Sequence, residues 1–139
     1  VRILVSVPNA DALIYQMFGK KFAYCDRASH VHQFSVQSLD LLFAKYNFSK
    51  EKTFFSFSYS FFGYLQTLVN LGNVTDNFLY FFLKRNREFG KNRTKIFLLF
   101  IYNVLLSGIM FLPALVGVCY DLVYKKKANV LTVCYQLKV

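Results

Sequence analysis

Two long uncharged windows dominate the hydrophobic pattern of this chain. They cover residues 53–75 and 96–120, and the second is the more strongly apolar. A helix that crosses a bilayer needs about 20 mostly apolar residues, because each residue adds roughly 1.5 Å across a hydrocarbon core about 30 Å thick. The second window therefore predicts a transmembrane helix. A long buried helix of a soluble domain is the alternative, although such helices usually carry shorter apolar runs.

The first window mixes a strand pattern with a helical one. Aromatic side chains alternate at positions 55, 57, 59 and 61, whereas Leu65, Leu68 and Val69 follow at helical spacing. We expect a transmembrane or deeply buried helix whose hydroxyl and amide groups face other helices. If the chain were instead a carrier or channel, the same polar groups would line its path; they are Ser56, Ser58, Ser60, Gln66 and Asn70.

Together the windows predict a two-helix transmembrane hairpin over residues 53–124, with a short aromatic segment, Phe78–Leu83, before its basic loop at 84–95. Basic side chains that flank a span reach the lipid headgroups, and here they are Lys84, Arg85, Arg87, Lys91, Arg93, Lys95, Lys125, Lys126 and Lys127. Within the second helix, small residues would allow close helix packing and a proline would kink it. These helix-packing candidates are Ser107, Gly108, Pro113 and Gly117.

The flanking regions, residues 1–52 and 125–139, are predicted to lie outside the membrane or at its surface. Residues 1–7 and 129–139 alternate as strands do, and the two strands either pair with each other or join a partner's sheet. Asn9 is a candidate N-cap of a short amphipathic helix that stops at Gly19. Ser38 is a candidate cap of a second one, which either lies on the membrane surface or packs on a partner protein.

Composition agrees with a mainly α membrane protein that has a short amphipathic N-terminal region and short terminal strands. Hydrophobic residues make up 55% of the 139 residues and charged residues 17%, less charge than the usual quarter of soluble domains. The net charge of +10 suits two kinds of partner, anionic lipids and nucleic acids. The three cysteines are irregularly spaced, which argues against a disulfide framework.

The candidate chemistry is sparse. Cys25, His30 and His32 have ligand-type side chains, but no second cluster completes a zinc pattern, so ordinary polar contacts are favoured. Proton-translocating subunits need ionisable side chains inside the membrane, and the windows offer only Asp121 near one end. We expect Asp121 to form an interfacial ion pair with Lys125. The sequence thus predicts no metal, no cofactor and no catalytic role of its own.

The chain has 17 Phe, 10 Tyr and no Trp, with frequent Asn and Lys and only two Pro. This bias toward residues whose codons are AT-rich, together with the two windows, resembles the small organelle-encoded membrane subunits of respiratory-chain complexes, of the protist mitochondrial type. The resemblance implies a structural or accessory subunit in the mitochondrial inner membrane, with complex I or a respiratory supercomplex favoured. Its partners would be the other subunits and anionic lipids such as cardiolipin, not nucleic acid. The alternatives are a divergent mitoribosomal protein that binds rRNA through the basic loop and an ATP synthase membrane subunit.

Overall fold

The computed structural model describes residues 1–25, 32–73, 75–84 and 92–138, and it is about 59% helical. The elements, in chain order, are β1 (Arg2–Pro8), α1 (Leu13–Phe18), α2 (Val36–Ala44), β2 (Phe48–Phe54), α3 (Phe57–Leu71), α4 (Phe78–Leu83), α5 (Arg93–Val123) and β3 (Val130–Leu137). Short 3-10 turns follow α1 and α5, at Gly19–Lys21 and Lys125–Lys127. The aromatic segment predicted before the basic loop is α4.

The three strands form one antiparallel sheet in the order β1-β3-β2. Both predicted terminal strands are confirmed, and they pair with each other, with Val5 opposite Val133. The strand β2 was not predicted, because its central residues are charged and its pairing shifts between Lys50 and Lys52. Charged residues and bulges are common on edge strands, where they discourage pairing with another chain.

Helix α2 covers one face of this sheet. Ser35 caps it, and Ser38, predicted as the cap, is instead the third helical residue of a capping box with Ser35. Leu39 is buried against β3, and the Phe43 ring stacks on Tyr135 at 4.1 Å between centroids. The apolar face of α2 thus packs on the chain's own sheet.

The N-terminal helix α1 ends where the sequence predicted but begins later. Gly19 ends it with φ +51°, a backbone conformation that favours glycine. The N-cap position is Ala12, so the prediction that Asn9 caps this helix is wrong. The Asn9 amide instead donates to the carbonyl oxygens of Lys126 at 3.0 Å and Ala128 at 2.7 Å, which ties the end of β1 to the segment before β3.

Helices α3 and α5 pack against each other in opposite directions, since Tyr64 lies beside Gly117 while Asn73 bonds Asn103. The helical interpretation of the first window is confirmed over Phe57–Leu71, but its first two residues belong to β2. With 15 residues, α3 is about 22 Å long and too short to cross a bilayer alone.

Helix α5 has 31 residues and a length of about 46 Å. Among the described residues it is the one helix whose length and apolar composition suffice to cross a membrane. The structure therefore contains a single candidate span where the sequence predicted the two arms of a hairpin.

Candidate functional site at the helix interface

Helix α5 buries two polar side chains together with Ala114 and Val118, and it exposes most of its large apolar side chains. Asn103 and Asp121 are fully buried, whereas Ile109, Leu112 and Val116 are 70%, 70% and 71% exposed. A helix of a water-soluble domain shows the opposite distribution, with its apolar stripe facing the core. Helices that pack within a membrane place small and polar residues at their contacts and apolar residues toward lipid.

Helix α3 repeats this inverted distribution. Its buried residues are Ser60, Gly63, Tyr64, Gln66, Thr67, Val69 and Asn70, of which most are polar or small. Phe57, Phe62 and Leu71 are exposed. We call the polar side chains between α3, α5 and their neighbouring turns, all buried except the half-buried Asn77, the polar seam; they are Ser60, Tyr64, Gln66, Thr67, Asn70, Asn73, Asn77, Asn103, Asp121 and Asn129.

At one end of the polar seam, the carboxyl group of Asp121 accepts three hydrogen bonds. The Ser60 hydroxyl donates to one oxygen, and the Tyr64 hydroxyl donates to the other at 3.0 Å. The backbone N–H of Asn129 donates at 3.2 Å, and the Asn129 side-chain amide donates to the Ser60 carbonyl at 3.0 Å. These bonds join α5, α3 and the segment before β3 in a single cluster.

The predicted ion pair between Asp121 and Lys125 is wrong. Asp121 faces α3 and is fully buried, while Lys125 is exposed in the turn that follows α5. The spacing of four residues suits a surface pair on a helix. Here Asp121 is buried against three hydrogen-bond donors, Ser60 and Tyr64 of α3 and the backbone of Asn129, and this outweighs the local spacing because a buried carboxyl without partners is very costly.

At the other end of the polar seam, two asparagines exchange side-chain hydrogen bonds. The Asn73 amide donates to the Asn103 oxygen at 2.7 Å, and the Asn103 amide donates to the Asn73 oxygen at 3.3 Å. Beside them the Tyr102 hydroxyl donates to the Gly72 carbonyl at 2.9 Å. The turn after α3 is thereby fastened to α5, which satisfies groups that the end of a helix leaves free.

Asn70 links the polar seam to the N-terminal region and to α4. Its side-chain oxygen accepts from Gln66 at 3.0 Å and from the backbone of Asn77 at 2.8 Å. Its amide donates to the Lys21 carbonyl at 2.9 Å. At the opposite end of α3, the hydroxyl of Tyr24 donates to the Tyr59 carbonyl at 2.8 Å, and burial raises the pKa of this phenol above its ordinary value, so it stays neutral.

The small residues of α5 differ in what they contact. Gly117 lies directly against the Tyr64 ring, and a Cβ there would come within 2.6 Å of the ring carbon Cγ. A Cβ at Gly108 would meet nothing within 4 Å. Ser107 donates to the Asn103 carbonyl of its own helix at 2.7 Å, and Pro113 lies exposed within the continuous helix. Close approach of α3 thus occurs at Gly117.

The basic residues lie at the ends of the apolar helices. Lys84 follows α4 with its ammonium group 4.5 Å from the centroid of the Tyr80 ring, and Arg93 and Lys95 are exposed in the first turn of α5. Lys125, Lys126 and Lys127 form the 3-10 turn after α5, which we call the lysine turn. Arg85, Arg87 and Lys91 lie outside the described residues, as does most of the predicted basic loop.

The three ligand-type residues Cys25, His30 and His32 are not brought together within the described part of the chain. Cys25 packs against the cluster formed by α1, α3 and α5, and His32 is exposed near Phe34. His30 lies outside the described residues. Of the five side chains proposed for a transport path, Ser60, Gln66 and Asn70 are buried and bonded within the polar seam.

Several members of the polar seam were not predicted from the sequence. Asn73, Asn77 and Asn129 stand in turns, where asparagine is common for local reasons. Asn103 could have been predicted to make a buried contact. It interrupts a strongly apolar window, and an amide at such a position usually forms a hydrogen bond with a buried partner.

Comparisons with protein-family models, with curated proteins and with solved structures found no match to this chain.

Replacing Asn103 with leucine is expected to lower the free energy of unfolding by about 1.5 kcal/mol. The Asn73 oxygen would lose its donor and the Asn73 amide one of its two acceptors, keeping its bond to the Val69 carbonyl, while the added apolar surface recovers part of the loss. Thermal unfolding of the full chain in detergent, followed by circular dichroism, measures the change. Ser107→Ala is the matched control on the same helix, with an expected change below about 0.5 kcal/mol because its hydroxyl bonds only its own helix. Equal effects of the two substitutions would contradict a specific role for the amide pair.

Proposed function

We propose that this chain is a non-catalytic subunit of a larger membrane complex, in which α5 lies in the bilayer. The observation that carries the proposal is the inverted burial of α5 and α3, with Asn103 and Asp121 inside and residues such as Leu112 and Val116 outside. Lipid tails and apolar partner helices both cover such a surface without penalty.

The size of the exposed apolar surface supports this setting. Along α5 the exposed large apolar side chains include Phe97, Leu98, Leu105, Ile109, Leu112, Val116 and Val123, each at least 60% exposed. Removing a side chain of this kind from water is worth about 1.5–3 kcal/mol, so covering this group is worth on the order of 10 kcal/mol. A contiguous patch of that kind is a feature of membrane and protein interfaces.

In this proposal α5 crosses the membrane and α3 with α4 forms a second, shorter arm packed against it. The polar seam holds the arms together, as interhelical hydrogen bonds do where the hydrophobic effect between helices is weak. The exposed basic groups at the two ends of α5, Arg93 and Lys95 at one and the lysine turn at the other, would meet lipid headgroups.

A structural role fits the chemistry better than a catalytic or transport role. Most side chains of the polar seam are occupied by hydrogen bonds within the chain, as Ser60, Tyr64 and Asp121 are, although the buried side-chain oxygen of Asn129 has no partner among the described residues. A transport path needs polar groups that face an open channel. The function we propose is therefore assembly and stability of the surrounding complex.

The setting we propose is the mitochondrial inner membrane, within a respiratory complex. Its support is the composition, with 17 Phe, 10 Tyr, no Trp and a net charge of +10, which resembles organelle-encoded subunits of this class. The partners would be the neighbouring subunits and anionic lipids such as cardiolipin.

Carbonate extraction of organelle membranes tests the proposal. A subunit with α5 in the bilayer is expected to stay in the membrane pellet and, after mild detergent, to migrate with a respiratory complex on native gels. Release into the soluble fraction would refute membrane insertion. Co-sedimentation with ribosomal RNA, lost after ribonuclease treatment, would instead identify the mitoribosomal alternative.

A further inference from the structure

A groove of about 580 Å³ lies between α2, the start of the α1 region and the lysine turn. Its lining residues are Asp11, Val36, Gln37, Asp40, Leu41, Ala44, Lys50, Lys126 and Lys127. The turn at one wall directly follows the exposed apolar end of α5, at Leu122, Val123 and Tyr124. If α5 spans the membrane, this groove opens at the level where the hydrocarbon core ends and the headgroups begin.

We propose that this groove binds the headgroup of an anionic phospholipid, an inference that rests on the membrane placement proposed above. The phosphate would lie against the ammonium groups of Lys126 and Lys127, with the glycerol and upper acyl atoms against α2. Cationic side chains next to an apolar wall at a membrane surface are the combination that recognises such a lipid.

The charges of the groove favour a phosphate over a cation. Asp40 is already occupied, because the Lys50 ammonium lies 2.5 Å from one of its oxygens and the Tyr135 hydroxyl donates to the other at 2.8 Å. Lys126 and Lys127 have no ion pair among the described residues. The other carboxylate that lines the groove, Asp11, forms no ion pair among the described residues.

The apolar wall supplies the second part of the recognition. Leu41 is 62% exposed, and with the exposed Ala44 it forms the free apolar part of the α2 side of the groove, while Val36 lines the groove but also packs against the sheet. The opposite face of α2 is committed to the sheet through Leu39 and Phe43. The exposed apolar residues of α2 are therefore free to meet the lipid, on the same side as the lysine turn.

Native mass spectrometry of the full chain in detergent, with phosphatidylglycerol or phosphatidylcholine of identical acyl chains added, tests this site. We expect retention of one phosphatidylglycerol, with Lys126→Ala/Lys127→Ala weakening it about fivefold for each lysine removed. Lys20→Ala/Lys45→Ala removes the same charge from exposed positions outside the groove and should leave retention unchanged. Asp11→Asn should strengthen retention, and Ala44→Phe, which fills the groove without changing charge, should abolish it.

The outcomes separate this site from simpler explanations. Equal losses in the two double variants would mean general charge attraction and would overturn the site, as would full retention in Ala44→Phe. Displacement of the lipid by inorganic phosphate alone would show a phosphate site without lipid recognition. Equal retention of phosphatidylcholine would show no preference for anionic lipid. Either result would overturn the proposal. Carbonate extraction of the unmodified chain is scored separately. Release there refutes membrane placement, whereas a retained chain with unaffected groove variants refutes only this inference.

Discussion

Replacing Asp121 with alanine is expected to lower the free energy of unfolding by about 3 kcal/mol, the largest loss among the single substitutions considered. The substitution removes the acceptor of three hydrogen bonds, from Ser60, Tyr64 and the backbone of Asn129. Each of these donors is buried or held in a buried cluster, and a buried donor without an acceptor costs about 1–3 kcal/mol. Equilibrium unfolding of the full chain in mixed detergent micelles measures the effect.

Two further variants show whether the loss comes from the hydrogen-bond cluster. Asp121→Asn keeps one acceptor oxygen and is expected to lose about half as much. Asp76→Ala removes a carboxylate of comparable size from a partly exposed ion pair with Lys21, and exposed pairs contribute about 0–1 kcal/mol. If Asp121→Ala were no worse than Asp76→Ala, the buried cluster would not be the element that joins α5, α3 and β3.

Strong local patterns predicted those elements whose side chains follow a single period. The terminal strands alternate over residues 1–7 and 129–139, and each appears within two residues of the predicted bounds. The aromatic segment Phe78–Leu83 and the long apolar helix were likewise visible. In the terminal strands the alternating residues also make the packing contacts, as Leu131, Val133 and Tyr135 of β3 do, so local and tertiary preferences agree there.

The strand β2 and the short span of α3 show where local pattern is insufficient. Residues 53 and 54 belong to the uncharged window but pair with β3, because an edge position was available beside that strand. The helix α3 therefore begins four residues after the start of the window, at Phe57, and is shorter than a second membrane span requires. Edge-strand formation depends on a partner about 80 residues away along the chain, as in the pair Thr53 and Val133, which no local period reports.

The polar seam was predictable in kind but not in its pairs. The first window was expected to turn its hydroxyl and amide groups toward other helices; Ser60, Gln66 and Asn70 are all buried, and Ser60 bonds Asp121 of α5. Gln66 bonds Asn70 within α3, but Ser60 bonds Asp121 of α5 and Asn70 bonds the Lys21 carbonyl, at sequence separations that a single sequence cannot reveal. The ion pair expected between Asp121 and Lys125 was wrong for this reason, since a local spacing was preferred to distant donors.

Replacing Gly117 with alanine is expected to lower the free energy of unfolding by about 2–3 kcal/mol, although alanine is the better helix former. The new methyl group would overlap one edge of the Tyr64 ring, at Cδ1, Cε1 and Cγ, and rotation of the ring cannot relieve the contact because Cγ lies on the axis of that rotation. Tyr64 is also held at its far end, where its hydroxyl donates to Asp121 at 3.0 Å. Overpacking of a fixed contact costs about 1–3 kcal/mol, and displacement of the ring would add the loss of this hydrogen bond.

Gly108→Ala is the matched control, on the same helix and with the same change in composition. Nothing lies within 4 Å of its added methyl group, so only the helix preference remains, and stability should rise by up to about 1 kcal/mol. The opposite signs of the two glycine substitutions separate helix packing from helix propensity in a single measurement of unfolding. Shortening Tyr64 to alanine should make Gly117→Ala much less harmful, because the overlapping ring is gone and the two changes are coupled. Independent, additive effects of Gly117→Ala and Tyr64→Ala would mean that α3 and α5 do not meet at this point.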